Sequence, residues 1–142
     1  MTMRDRVQSL EASMVTMTPY ECPIRHIFAP GVYAREMTAI KDVVLVGAVH
    51  KTAHLSVLSK GRVCVVSGES VVELAAPATL VSEAGEKRAI FVLEDAVWTN
   101  IHATTETDLD KLVAELTEST MAQLQGGADN VQQTNYAALI KE

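Results

Sequence analysis

The sequence predicts a mostly β protein, an antiparallel sandwich or barrel with a helix at either end. Three observations lead there. From Cys22 to His102 the chain is a succession of short Val- and Ile-rich runs separated by turn residues. No segment in that span is long and periodic enough for a crossover helix, which disfavours a parallel α/β fold. On both sides of it the apolar spacing changes to the three-and-four period of helices.

Met3, Val7, Leu10, Met14 and Met17 recur at helical spacing, and Thr18-Pro19 stops the run. Residues 1–18 are therefore expected as a helix, either covering one side of the domain or forming a short coiled-coil arm between subunits. The β domain, 22–103, follows. Its expected strands are Ile24 to Phe28, Val32 to Thr38, Val43 to His50, Leu55 to Leu58, Arg62 to Ser67, Ser70 to Leu74, Thr79 to Val81, Lys87 to Leu93 and Ala96 to His102. Ala29-Pro30-Gly31, Gly61 and Gly68-Glu69 read as turns, and Glu94-Asp95 as a tight reversal.

Residues 104–126 return to helix. Thr105 is the expected cap, and Glu106, Asp108 and Asp110 put negative charge near the positive end of the helix dipole. Leu109, Leu112, Val113, Leu116 and Leu124 share one face, and Gly126-Gly127 ends the run. The tail, 127–142, is polar around Tyr136, Leu139 and Ile140. Those side chains either fray with the terminus or dock on a neighbouring subunit, so a homo-oligomer is the expected assembly.

Bulk composition narrows the function classes. A chain of 142 residues is long enough for one domain with a sizeable core. With 48% hydrophobic and 21% charged residues it is not mainly disordered. A net charge of -6, with no stripe of Lys and Arg, argues against nucleic acid and anionic membranes as partners. The longest apolar run, Val43 to Val49, is too short to cross a bilayer. No apolar leader follows the N-terminus, and Cys22 and Cys64 lack CxxC spacing and suit reduced thiols; a cytoplasmic location is expected.

The segment Gly47 to Gly61 carries His50 and His54, three residues apart, with six residues before Gly61. This resembles the first motif of the cupin superfamily, His-x-His, three or four residues, Glu, six residues, Gly. His50 falls on the second histidine, His54 on the glutamate and Ala48 on the first histidine. The second motif, Pro-x-Gly-x-x-His-x-x-x-Asn, is matched by Glu83-Ala84-Gly85-Glu86-Lys87-Arg88 and on to Val92, in which only Gly85 agrees. Arg88 stands at the histidine and Val92 at the asparagine. A closer likeness is to small cupin-like proteins of tailed bacteriophages and prophages, through "FAPGVYARE", "GAVHKTAHLSVLSKGRV", "APATLVS" and "VWTNIHATTETDLDKL". The resemblance implies a cupin-like double-stranded β-helix, or jelly-roll barrel, in a phage setting, acting in the host cytoplasm or as part of the virion.

Such a barrel gathers inward side chains around one pocket. His50 and His54 would supply two ligands of a divalent transition metal, Zn, Fe, Mn or Ni. His102 is the expected third, because a reversal at Glu94-Asp95 would pair it near Arg88. Tyr33 and Glu36 are reserves, and His26 a weaker one. Alternatively, His50 and His54 only hydrogen-bond within the barrel mouth. If Arg88 points inward it disfavours a cation and suits a small anionic ligand, gripped with His50, His54 and Lys51; a shift of one residue would turn it outward. Trp98 is expected to seal the barrel or a subunit contact. A histidine general base assisted by Tyr33 or Glu36 would suit an isomerase, and a metal a dioxygenase. No nucleophile elbow, P-loop or zinc knuckle is present, so an oligomeric structural or accessory role stands beside these.

Overall fold

The computed structural model describes residues 3–14, 22–67, 70–118 and 132–135. In chain order its elements are α1 (Met3–Met14), β1 (Ile24–Ala29), β2 (Val32–Ala39), β3 (Val43–Val46), β4 (His54–Ser67), β5 (Ser70–Ala75), β6 (Ala78–Ser82), β7 (Arg88–Ala103), α2 (Leu109–Leu116) and β8 (Gln132–Asn135). Every strand pairing is antiparallel.

Two long strands form the spine. β4 and β7 pair with each other from Leu55↔Ile101 to Ser67↔Arg88. At the His54 end, β4 also pairs with β6, and β7 with β2, which in turn carries β1. At the Ser67 end, β4 pairs with β5, and β7 with β3, which carries β8. The spine therefore passes from one layer of strands to another, as a jelly roll requires.

This arrangement corrects two expectations. Gly61 does not end a strand, and Glu94-Asp95 does not reverse the chain. The pairing of β4 with β7 slips at Leu58, Lys60 and Arg62, so both strands bend there and continue. Gly61 makes the bend possible. Its φ is +84°, and a Cβ on it would lie 2.2 Å from the carbonyl oxygen of Asp95. A strand that bends and a strand that stops ask for the same local residue, a glycine of positive φ.

The interior is apolar and drawn from both layers. Met37, Ala39, Leu58, Ala96 and Trp98 meet Val43, Leu45, Val63, Val65, Ile90 and Val92 in one cluster. Burying each of the larger side chains contributes about 1.5–3 kcal/mol. Trp98 belongs to this core, 4% exposed. All four residues of β3 are buried because the strand is covered twice. Val43 and Leu45 face the core, while Val44 and Val46 pack with Ala89 against Val7 of α1. The helical stripe of the N-terminus thus meets its own barrel; Met17 and Thr18-Pro19 lie outside the described residues.

α2 is shorter than expected. Asp108, not Thr105, is its cap, accepting from the Lys111 N–H at 3.1 Å. It ends at Leu116, where Thr117 turns extended and bridges to His50. Leu112 and Leu116 pack on Tyr33 at the barrel mouth. The expected continuation to Leu124 and Gly126-Gly127, the Gly68-Glu69 turn and the tail side chains Tyr136, Leu139 and Ile140 lie outside the described residues. Within the tail, β8 pairs with β3 of the same chain. Cys22 and Cys64 are both free thiols. No helix among the described residues is long and apolar enough to cross a membrane.

Candidate metal centre

Alternation along β4 and β7 builds the site. Inward positions of β4 are His54, Ser56 and Leu58, all buried; on β7 they are His102, Asn100 and Trp98. Polar residues therefore occupy the end of the barrel and apolar ones its depth. The pairing Leu55↔Ile101 brings His54 beside His102. His50 joins them from the loop between β3 and β4, which is fastened on both sides. Gly85 N–H donates to His50 O at 2.9 Å, Lys51 N–H to Leu116 O at 2.8 Å and Glu118 N–H to Val49 O at 2.8 Å. Lys51 is spent on this fastening too, since its Nζ donates to Ala114 O at 2.7 Å. It does not serve the pocket.

The three imidazoles form one cluster. Ring centroids are 4.4 Å apart for His50 and His54, 5.1 Å for His50 and His102, and 4.4 Å for His54 and His102. One ring nitrogen of each lies within 4.8 Å of the others. Metal–nitrogen bonds of about 2.0–2.1 Å would draw those nitrogens to about 3–3.5 Å, a small inward turn of each ring. His54 Nδ1 lies 3.4 Å from the Thr52 carbonyl, which can only accept, so the tautomer leaves Nε2 unprotonated. His102 is 4% exposed, and its Nδ1 is buried with no hydrogen-bond partner. An orphaned buried nitrogen costs about 1–3 kcal/mol, a cost that a ligand on that nitrogen would remove.

Electrostatics keep the rings neutral, as ligation demands. Burial, followed by the charges of the other two histidines, Arg35 and Arg88, lowers the pKa of His50 to about 3. Burial, then His54 and Arg35, lowers that of His102 to about 4. Burial also lowers His54, where Arg88 adds to the effect and the Thr52 carbonyl and Glu86 oppose it.

The residues expected from sequence separate as follows. His50, His54 and His102 are brought together, though His102 arrives by another route. It pairs with Tyr33 of β2, while Arg88 pairs with Ser67 at the far end of β7. Arg88 does line the cavity below the histidines. Tyr33 is buried and stacks between His26 and His102, with ring centroids 5.8 and 6.0 Å away. His26 Nδ1 meets the Tyr33 hydroxyl at 2.7 Å and stays outside the cluster. Glu36 lies on the opposite face of β2, in an ion pair with Arg25 at 3.1 Å. Tyr33 and Glu36 are three positions apart, so a strand cannot turn both inward. The same parity points to Arg35, missed in the sequence, which faces as Tyr33 and Met37 do.

Also missed is a hydrogen-bond chain along the cavity wall. Arg88 Nη1 donates to Ser82 Oγ at 2.6 Å, Ser82 Oγ lies 2.7 Å from Ser56 Oγ, and Ser56 Oγ donates to Asn100 Oδ1 at 2.8 Å. Trp98 Nε1 donates to the same Oδ1 at 3.0 Å. Serines and an asparagine at inward positions of a predicted barrel were the available signal. The cavity that Ser82, Arg88, Trp98 and Asn100 line with His50, His54 and Glu86 has a volume of about 60 Å³.

The architecture is shared with cupins. KdgF from Halomonas sp. superposes with a TM-score of 0.52, covering 64% of this chain and 88% of its own at 14% identity. An RmlC-like cupin family protein with a double-stranded β-helix fold from Methanocaldococcus jannaschii gives 0.52, over 59% and 81%, at 7% identity. A cupin-2 domain containing protein from Shewanella frigidimarina gives 0.50, over 66% and 91%, at 10% identity. No family model matches this sequence, and no curated protein matches it. The chain has the cupin fold, a double-stranded β-helix, with a histidine cluster that could hold a metal ion at one end of the barrel.

Proposed function

We propose that this protein is a metal-binding cupin-fold protein that holds a divalent transition metal through His50, His54 and His102. The observation that carries this reading is the meeting of three neutral imidazoles, one with an orphaned buried nitrogen, at the mouth of a barrel. Three nitrogen donors suit zinc, iron, manganese or nickel and leave further positions on the ion for another ligand. Such an ion would supply Lewis-acid chemistry to whatever binds beside it. Around it the chain's own residues have fixed tasks. The Val49–Lys51 segment and α2 orient His50, and Tyr33 backs His102 while Leu112 and Leu116 shut out water.

The test is metal analysis and thermal unfolding of wild type and of His50→Ala with His54→Ala. The expected result is about one metal per chain, lost in the double variant. Zinc at a hundred times its dissociation constant should stabilise wild type by about 2.7 kcal/mol, and chelator should reverse it. Metal-free protein whose unfolding ignores zinc would remove the reading.

A second reading is an oligomeric structural or accessory protein of a phage particle. Its support is the resemblance to phage proteins together with exposed apolar residues on one face of β4 and β6. Leu55 and Val81, paired across those strands, are 44% and 57% exposed. A second copy of the chain would cover them. Mass in solution for wild type and for Val81→Glu decides it: an assembly that Val81→Glu dissociates supports the reading, and a monomer at high concentration ends it.

A further inference from the structure

The wall beneath the histidines has a polarity that its hydrogen bonds dictate. Trp98 Nε1 and the guanidinium of Arg88 can only donate. The atom of Asn100 facing Trp98 must therefore be the oxygen. Ser56 spends its one proton on that oxygen. Ser82 accepts from Arg88 and so gives its proton to Ser56. Both lone pairs of the Asn100 oxygen are taken, and both serine protons are spent. What is left facing the cavity is the Asn100 Nδ2 amide, which donates to no other group among the described residues. Arg88 Nε is likewise buried and unpartnered.

Charge points the same way. Three neutral imidazoles would leave both charges of a divalent ion uncompensated, and an uncompensated charge in a buried site is costly. Arg35 and Arg88 both bear on His50 with positive charge. Glu86, a half-buried carboxylate that lines the cavity, is already committed. It accepts from Ser67, from Arg88 at 3.2 Å and from the Glu83 N–H at 3.3 Å. Glu83, also on the cavity rim, is exposed to water. The carboxylate nearest in charge to His54 is thus tied to Arg88 and Ser67, and the wall offers donors to a further anion.

Size completes the description. At 10–15 Å³ for each water-sized position, about 60 Å³ admits a ligand of about four to six non-hydrogen atoms. Met37, Leu45 and Ile90 close the cavity with apolar surface on its other sides. We infer, on the metal-binding reading above, that the cavity takes a carboxylate of two or three carbons, one oxygen on the metal and the other on the Asn100 amide and Arg88.

Cobalt(II)-loaded protein tests this, because its visible spectrum reports changes at the ion. Oxalate and glycolate should shift the spectrum saturably, while acetamide, which is similar in size to acetate but uncharged, should not. Asn100→Asp keeps the acceptor for Trp98 and Ser56 and puts an anionic oxygen in place of the donor. It should weaken oxalate binding by about tenfold or more, the usual cost of losing a hydrogen bond to a charged group. Bound cobalt with a spectrum blind to both carboxylates overturns this inference and leaves the metal reading intact. Tighter binding of inorganic phosphate than of oxalate overturns the carboxylate assignment. Failure to bind cobalt at all removes the metal reading and the inference with it. Should Asn100→Asp not fold, by circular dichroism, the comparison of glycolate with acetamide on wild type still decides.

Discussion

His54 and His102 stand with ring centroids 4.4 Å apart, although one opens β4 and the other lies near the end of β7. Their contact follows from the pairing Leu55↔Ile101, which sets the next inward position of each strand side by side. His102→Ala should therefore cost more zinc affinity than the roughly 10–100-fold usual for losing an outer partner of a metal ligand. Competition against a chromophoric chelator measures this. An affinity equal to wild type would take His102 out of the ligand set.

Acid should destabilise the metal-free protein through the same residues. Unfolded imidazoles bind a proton near pH 6.5, whereas burial holds His50 to about 3 and His102 to about 4. Between those values the unfolded state binds more protons, so stability is full above about pH 6.5 and falls as pH drops toward 4 and then 3. In the presence of chelator, the unfolding free energy from denaturant titrations should fall with a slope of about two protons over pH 6 to 4. The double variant His50→Gln with His102→Gln should flatten that slope. An equal slope in both proteins would show that the rings titrate in water.

Gly61→Ala should destabilise the barrel by about 2 kcal/mol or more, through its left-handed backbone and the approach of Asp95. Equilibrium unfolding against wild type measures the loss, with Gly47→Ala as comparison, since nothing lies within 4 Å of a Cβ there. Equal effects of the two substitutions would contradict the bend at Gly61.

Sequence alone determined the sidedness of the main strands and of the N-terminal helix. The alternation His54, Ser56, Leu58 makes a strand with a polar end and an apolar depth, and the stripe at Val7 and Leu10 makes a helix with one face to bury. Both are local, because a side chain's direction is set by backbone period, and the same period puts Tyr33 and Glu36, both expected at the pocket, on opposite faces. The tertiary structure alone decided whether Gly61 and Glu94-Asp95 end strands or bend them, because only the carbonyl of Asp95 lying against Gly61 distinguishes the two. It also decided the site. His50 comes from a loop held by Leu116 and Gly85, and Asn100 presents a donor only because Trp98 and Ser56 have taken its oxygen. Hydrogen bonds between strands far apart in the chain carry no local signature, so their direction and their consequences for the cavity exist only once the barrel has closed.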